Sequence, residues 1–189
     1  KGAAMKEFYT RTGDDGKTGI LGEGRVEKFD LRMEALGTLD ELSAALGMAR
    51  SFLEDRMLND FLVHLQRELY EVMTEVSASP EKADQFHRVK EEQVLKLEDE
   101  IAHFSTVVKI PSGFILPGDS PASAGISFAR TIARRAERRV AELIFRGDLQ
   151  NRELLRYLNR LSSLLFVLEL YLIQQGQHKK PLMAKVEKA

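Results

Sequence analysis

Cysteine and tryptophan are both absent from this chain of 189 residues. Without cysteine there can be no disulfide, no thiolate metal site and no cysteine nucleophile. No apolar run approaches the roughly 18 residues of a membrane-spanning helix, so we expect no membrane segment. The first ten residues, KGAAMKEFYT, are too polar for a secretory signal. Together these absences fit a reducing compartment, and we expect a cytoplasmic protein.

Charge is almost balanced, with 28 basic and 29 acidic residues and a net charge of −1. The global charge therefore argues neither for nor against a polyanionic partner, and only local clusters can. The length predicts one domain that is large enough to bury a core.

Apolar residues at helical spacing dominate the chain after residue 30, as in Leu36, Leu39, Leu42 and Leu46. We divide the chain into an N-terminal arm at 1–30, a helical bundle at 31–176 and a mobile tail at 177–189. The arm is rich in glycine and has no period, and we predict no β-structure in it. The predicted helices span about 34–50, 55–77, 87–104, 121–147 and 149–175. The sequence therefore predicts an all-α fold, a five-helix up-down bundle.

Two local signals fix the fourth helix, since Ser120-Pro121 is a typical start and Gly147 a typical end. The connection before it, VVKIPSGFILPGDSP, carries three prolines and two glycines, and we expect a shaped loop with a short extended piece around 107–116.

The stretch TRTGDDGKTGILGEGRVEK, residues 10–28, resembles a phosphate-binding loop. The P-loop pattern would need glycine at position 11, which is Arg11, and a helix after the lysine, so this motif is absent. Glycines still allow backbone N–H groups to converge on an anion. Thr10, Thr12 and Thr18 would add hydroxyls, and Lys28 a cation. The alternative is a flexible solvent loop, which composition alone favours.

Arginines form a second cluster, ARTIARRAERRV, in which Arg130, Arg134 and Arg138 share one helical face. We call these three residues the arginine stripe. Glu137 follows Arg134 by three residues and is expected to orient it. A solvated charged face is the commoner explanation of such a helix, but this one is poorly balanced and would suit an anion. RNA is disfavoured because aromatic stacking platforms are few near the stripe.

A third cluster is YLNRLSSLLF, where Asn159 and Arg160 interrupt a leucine-rich helix, with Asn159 close to the apolar face. A buried asparagine that fixes helix register and an amide that contacts a ligand are equally consistent with this position.

In this order the pieces resemble the PduO-type ATP:cobalamin adenosyltransferases. The matching segments are YTRTGDDGKTGILGEGRVEK, EALGTLDELSAALG, FILPGDSPAS, ARTIARRAER and YLNRLSSLLFVL. The resemblance implies a ferritin-like five-helix bundle that forms a homotrimer, with ATP and cobalamin bound between subunits. It implies an enzyme that transfers the 5′-deoxyadenosyl group of ATP to cob(I)alamin, forming adenosylcobalamin and releasing triphosphate.

Matched motifs carry the family's site residues onto this chain. The implied ATP-binding residues are Thr10, Arg11, Thr12, Gly13, Thr18, Gly19, Lys28, Arg134, Arg135, Glu137, Arg138 and Asn159. Phe114 and Arg130 are the implied corrinoid-binding residues, with Phe114 as an aromatic wedge beneath the ring; its alternative is an ordinary core residue. Asp40 and Arg130 are implied to form a salt bridge between subunits, and with Arg134 and Phe114 they make up the implied catalytic set.

This chain departs from the family at Ser127, where a histidine is usual, at Ser163, where an aspartate is usual, and at Asp119 in a usual Pro-Gly-Gly turn. These departures concern the corrinoid pocket more than the ATP contacts.

The residue types fit the implied chemistry. Cobalt(I) is itself a strong nucleophile, so no nucleophilic side chain is needed, while arginines suit a polyphosphate leaving group. The expected small molecules are ATP, Mg²⁺ carried by the phosphates, and cobalamin as substrate. A cobalamin reductase and an adenosylcobalamin-dependent mutase are the expected partner proteins, and no nucleic acid or membrane is expected. Another ATP-using transferase, or a trimeric corrinoid and ATP-binding carrier or regulatory protein without turnover, is the alternative.

Overall fold

The computed structural model describes residues 9–176 and 180–185, and most of its regular structure is helical. Its α-helices are α1 (Leu31–Arg50), α2 (Arg56–Ser77), α3 (Glu91–Ser105), α4 (Pro121–Arg146) and α5 (Glu153–Gln175). Helix α1 packs against α2 and α4, and α5 packs against α4 and α3. The prediction of an all-α helical bundle is confirmed. None of the helices in the described part of the chain combines the length and apolarity that crossing a membrane requires.

Leucines at helical spacing fill the core, as the sequence predicts. Those with almost no exposed surface are Leu39, Leu42, Leu46, Leu62, Leu65, Leu69, Leu154, Leu158, Leu161, Leu165 and Leu168. Tyr157 is also fully buried and donates a 2.8 Å hydrogen bond to Glu68. Helices α1 and α4 approach closely at Gly125, where a Cβ would come within 2.8 Å of Ala49 Cβ. Only glycine allows this contact.

Helix ends follow the capping residues. Helix α1 begins three residues before the predicted start because the Asp30 carboxylate accepts the backbone N–H of Arg32 at 2.7 Å. Helix α4 begins after Ser120 with Pro121 in its first turn, and Gly147 ends it in the left-handed conformation at φ 84°. Both signals for α4 were therefore interpreted correctly.

Helices α3 and α5 begin later than predicted because the buried Glu75 carboxylate binds polar groups just before each of them. Glu75 accepts hydrogen bonds from the backbone N–H groups of Arg88 and Val89, both at 2.9 Å, which keeps residues 87–90 out of the helix. The other Glu75 oxygen accepts from Asn151, whose own side-chain oxygen accepts the backbone N–H of Glu153. The predicted starts at 87 and 149 are wrong for this reason. A 3₁₀ helix at Pro80–Phe86 occupies the predicted break after α2.

The arm contains a small β-hairpin that the sequence did not predict. Strands β1 (Lys17–Gly19) and β2 (Arg25–Glu27) are antiparallel, with Thr18 opposite Val26. The turn between them docks on the end of α2, since Leu21 donates to Ser77 O at 2.9 Å and accepts from Ser79 N at 2.8 Å. Residues 1–8 of the predicted arm lie outside the described residues.

The connection between α3 and α4 is pinned by part of the predicted tail. Leu116 N donates to Leu182 O at 2.7 Å, and Ala184 N donates to Phe114 O at 2.8 Å. The predicted extended piece thus forms a single antiparallel bridge, between Ile115 and Met183. The rest of the tail, 177–179 and 186–189, lies outside the described residues.

Candidate functional site

The arm brings Lys28 over the glycine-rich loop. A Cβ added to Gly13 would lie only 3.0 Å from Lys28 Nζ, and the Lys28 backbone N–H donates to Gly16 O at 2.9 Å. The hydroxyls of Thr10 and Thr12 lie 2.8 Å apart. Arg11 adopts a positive φ of 59°, and its guanidinium stacks on the Tyr9 ring. The predicted arm residues therefore form one exposed cluster of donors.

Arg25 and Asp15, which the sequence analysis did not single out, hold this loop together. Arg25 donates to both oxygens of Asp15, at 2.8 and 2.9 Å, and also to the carbonyls of Thr12 and Lys17. The bond from Arg25 lowers the pKa of Asp15 from its usual value. The two residues lie ten positions apart in the sequence, and without the hairpin nothing in the sequence indicates that they pair.

The segment on which the arm docks is fixed by a buried arginine. Arg32 donates to the carbonyls of Val76 and Ala78, at 2.6 and 3.0 Å, and to Asp148 O at 2.9 Å. Burial lowers the pKa of Arg32 from its usual value, although Asp148 and Asp30 oppose the change. The sequence did not mark this role, because an arginine in the first turn of a helix resembles any surface arginine.

The arginine stripe lies along α4, as predicted, but its members differ. Arg134 and Arg138 are exposed and have no carboxylate within salt-bridge distance among the described residues. Arg138 donates instead to the backbone oxygen of Arg134 at 3.1 Å. Arg135, beside the stripe, pairs with Glu41 of α1. Two adjacent guanidinium groups thus face outward without a counter-charge.

Asn159 is held at the junction of α4 and α5. Its amide nitrogen donates to Glu137 at 2.8 Å, and its oxygen accepts from Arg160 at 2.9 Å. Arg160 in turn donates to Glu98 of α3 at 2.8 Å. The expectation that Glu137 orients Arg134 is wrong, since this carboxylate binds Asn159 instead. Glu98 completes the network through Arg160 and was missed, because α3 had no predicted role in the site.

Phe114 and Asp40 are both on the surface. Phe114 is 89% exposed on the connection before α4, so within the chain it is not a core residue. Asp40 projects from the exposed side of α1, opposite the buried Leu39 and Leu42, and it forms no ion pair with Arg130 of the same chain. Arg130 lies instead beside Glu169, with 3.7 Å between Nε and Oε2.

No polar contact joins the arm to the arginine stripe in the part of the chain that the structure describes. No hydrogen bond or ion pair in residues 9–176 and 180–185 joins residues 9–28 to Arg134, Arg138 or Asn159. A cleft of about 610 Å³ is lined by Phe61, Phe104 and Tyr171 and contains none of the predicted site residues. Within one chain, the predicted site residues thus fall into two groups that no described hydrogen bond or ion pair joins.

A helical bundle with an unbalanced arginine face and a glycine-rich donor loop is typical of a polyphosphate-binding protein. The chain belongs to the cobalamin adenosyltransferase family, whose sequence profile matches residues 8–172. The family resemblance seen in the sequence is confirmed.

Relatives and solved structures agree with this assignment. The chain is 38% identical over 164 residues to the corrinoid adenosyltransferase of Bacillus subtilis, covering 85% of this chain and 83% of that one. It is 39% identical over 162 residues to the corrinoid adenosyltransferase PduO of Salmonella typhimurium, but these residues make up only 48% of that protein, so the chain spans about half its length.

The structure is similar to a variant of the PduO-type ATP:corrinoid adenosyltransferase of Lactobacillus reuteri complexed with cobalamin and ATP. The TM-score is 0.85 at 29% identity, and the match covers 95% of this chain and all of that one. A second variant of that enzyme, complexed with ATP, matches with a TM-score of 0.83 at 29% identity, over 94% of this chain and all of that one.

Proposed function

We propose that this protein transfers the 5′-deoxyadenosyl group of ATP to cob(I)alamin, producing adenosylcobalamin and triphosphate. The observation that carries the proposal is the pair Arg134 and Arg138, exposed side by side on α4 without a carboxylate partner among the described residues. Like charges on adjacent turns repel by roughly 0.2–0.5 kcal/mol, and an anion bound between them would remove this cost. A triphosphate supplies that anion.

In the proposed reaction, the electron pair of cobalt(I) forms a bond to C5′ of ATP. The bond from C5′ to the phosphate oxygen breaks, and its electrons leave with the triphosphate, while cobalt is formally oxidised to the +3 state. The protein's part is to bind, orient and neutralise charge. Arg134, Arg135 and Arg138 can each contribute charge-assisted hydrogen bonds of roughly 1.5–3 kcal/mol to the phosphates. Asn159, fixed by Glu137 and Arg160, offers the nucleotide a rigid amide.

The arm supplies the second half of the ATP site in this proposal. Lys28 and the backbone of Gly13, Thr18 and Gly19 would face the phosphates, together with the side chains of Thr10, Arg11 and Thr12. The threonine hydroxyls are hard oxygen donors of the kind that Mg²⁺ accepts, so the arm is compatible with a magnesium ion carried by the phosphates.

We propose further that the two halves meet between subunits of a homotrimer, since no described hydrogen bond or ion pair joins them within one chain. Phe114 and Phe128 are exposed apolar side chains, and contact with a neighbouring subunit or a corrin ring would bury them. Asp40, which has no ion pair among the described residues, is proposed to bind Arg130 of the neighbour. Phe114 would sit beneath the corrin ring and displace the lower axial ligand, which makes cobalt(II) easier to reduce.

The proposal implies partners by their chemistry. Cobalt(I) must be made by a reductase, and the product must pass to an enzyme that uses adenosylcobalamin, such as a mutase. A cytoplasmic location would supply both ATP and reducing equivalents.

The test is an absorbance assay with chemically prepared cob(I)alamin and Mg-ATP. We expect ATP-dependent formation of a light-sensitive alkylcobalamin together with one triphosphate per product. Binding of both substrates without product would contradict the proposed transfer and would instead support a carrier.

A further inference from the structure

Glu169 is a buried carboxylate in the middle of the leucine-rich face of α5. It lies between Leu168 and Leu170, and only 1% of its surface is exposed. Neither of its side-chain oxygens accepts a hydrogen bond of ordinary geometry from the described residues. An isolated ionised carboxylate is very costly to bury, so such a residue requires a charged partner or a proton.

The only cation beside Glu169 among the described residues is Arg130. The Arg130 Nε atom lies 3.7 Å from Glu169 Oε2 and is itself buried without another partner. The Arg130 guanidinium also lies 5.9 Å from the ring of Phe166, one turn before Glu169 on α5. The Arg130 side chain nevertheless keeps 28% of its surface exposed. Because Nε is buried, this exposed surface belongs to the other atoms of the side chain.

Two more polar groups surround the pair. Ser127, one turn before Arg130 on α4, and Asp119, just before that helix, both lie close to Glu169 and carry buried oxygens without a hydrogen-bond partner. Burial raises the pKa of Glu169 above its usual value and Asp119 raises it further, whereas Ser127 and Arg130 oppose this rise. The cluster is therefore a balance of opposing interactions, and Arg130 supplies its one positive charge among the residues that the structure describes.

We infer that Glu169 is a positioning residue for Arg130: from inside the bundle it anchors the Nε edge of the guanidinium, so that the outer nitrogens are presented at the surface of α4. This inference rests on the proposed function, in which Arg130 binds the neighbouring Asp40, and on the corrinoid contact that the family resemblance implies for Arg130. The two carboxylates then have different tasks. Glu169 holds Arg130 from its own chain, and Asp40 binds its outer edge from the next subunit.

The test is the steady-state kinetics of Glu169→Gln, which keeps the shape of the side chain and removes its charge. We expect kcat/KM for cobalamin to fall by about tenfold or more, because a charge-assisted contact to a site residue is lost. The KM for ATP should change by less than about twofold, since Arg134 and Arg138 are untouched. Glu169→Asp, which retains the charge, should lose clearly less than Glu169→Gln. The control is Glu68→Gln, which removes an internal carboxylate from the Tyr157 contact on α2, away from the stripe.

A double-mutant cycle separates positioning from general packing. In an Arg130→Ala background, Glu169→Gln should have almost no further effect on kcat/KM, because Glu169 acts through Arg130. Three results would overturn the inference and leave the proposed function intact. The losses in kcat/KM from the two substitutions could multiply. Alternatively, Glu169→Gln could impair both substrates equally, or change kcat/KM for cobalamin by less than about twofold in an active enzyme. If the unmutated protein transfers no adenosyl group, both this inference and the proposed function are overturned.

Discussion

The ammonium group of Lys28 lies against Gly13, so closely that a Cβ at residue 13 would approach Nζ to 3.0 Å and Cε to 3.2 Å. This contact places a cation over the glycine-rich turn of the arm. A side chain at residue 13 would therefore push the end of the lysine away by a few tenths of an ångström.

Gly13→Ala is expected to weaken Mg-ATP binding by roughly three- to tenfold, because Lys28 must move away from the bound phosphates. The measurement is calorimetric titration of the protein with Mg-ATP. The control is Gly37→Ala on α1, where an added Cβ would meet no atom within 4 Å. Equal affinities for the two variants would show that the contact has no part in binding.

Arg134→Ala is expected to weaken Mg-ATP binding by about tenfold or more while the melting temperature stays nearly constant, since the lost guanidinium faces outward. The matched control on the same helix is Arg139→Ala. Arg139 is paired with Glu142 at 3.6 Å, and its loss should change neither quantity appreciably. If Arg134→Ala binds ATP like the parent, the stripe is an ordinary solvated face.

Phe114→Ala is expected to keep ATP binding but to lose most activity when the assay starts from cobalt(II). With chemically prepared cobalt(I) the loss should be much smaller, because the proposed wedge acts only before reduction. Phe145→Ala is the control, since Phe145 is 92% exposed near the end of α4 and has no proposed role. Equal losses from both starting states would mean that Phe114 contributes only packing.

The arm should loosen at acid pH. Arg25 holds the pKa of Asp15 below its ordinary value of 3.8, and the hydrogen bonds of Glu27, including one from Lys17, hold its pKa below 4.5. Their contribution to the folded arm is therefore complete above these ordinary values and is lost as the pH falls through the lower folded values. Hairpin amide chemical shifts followed from pH 5 downward should report this change, and Asp15→Asn should show less of it. An arm whose shifts do not change in the parent would contradict the pairing.

Much of the fold could be predicted because its signals are local. Leucine spacing identified the helices, and the Ser120-Pro121 start and the Gly147 end fixed α4 within a residue. The start of α3 was misplaced because Glu75 accepts hydrogen bonds from the backbone N–H groups of Arg88 and Val89. The start of α5 was misplaced because Asn151, held by the same carboxylate, accepts the backbone N–H of Glu153. The hairpin was missed because strands of three residues are too short to show alternation.

The residues of the candidate site were predicted from motifs, but the contacts that hold these residues in place were not predicted. Arg25 and Asp15 meet only after the hairpin forms, and Glu98 reaches Asn159 only through Arg160. Glu169 sits in a leucine-rich run whose pattern gives no reason to expect a partner on α4. Such pairs depend on how helices cross, which the spacing of residues along one helix does not encode.

The central claim is that ATP donates its adenosyl group at a site formed by the arm of one subunit and the arginine stripe of another. Co-expression of Lys28→Ala and Arg134→Ala tests it most directly, with adenosylcobalamin formation as the readout. Each variant alone should be nearly inactive, whereas random mixing in a trimer should restore about a quarter of the parent rate, since one interface in four combines an intact arm with an intact stripe. A mixture no more active than the separate variants would contradict a shared site.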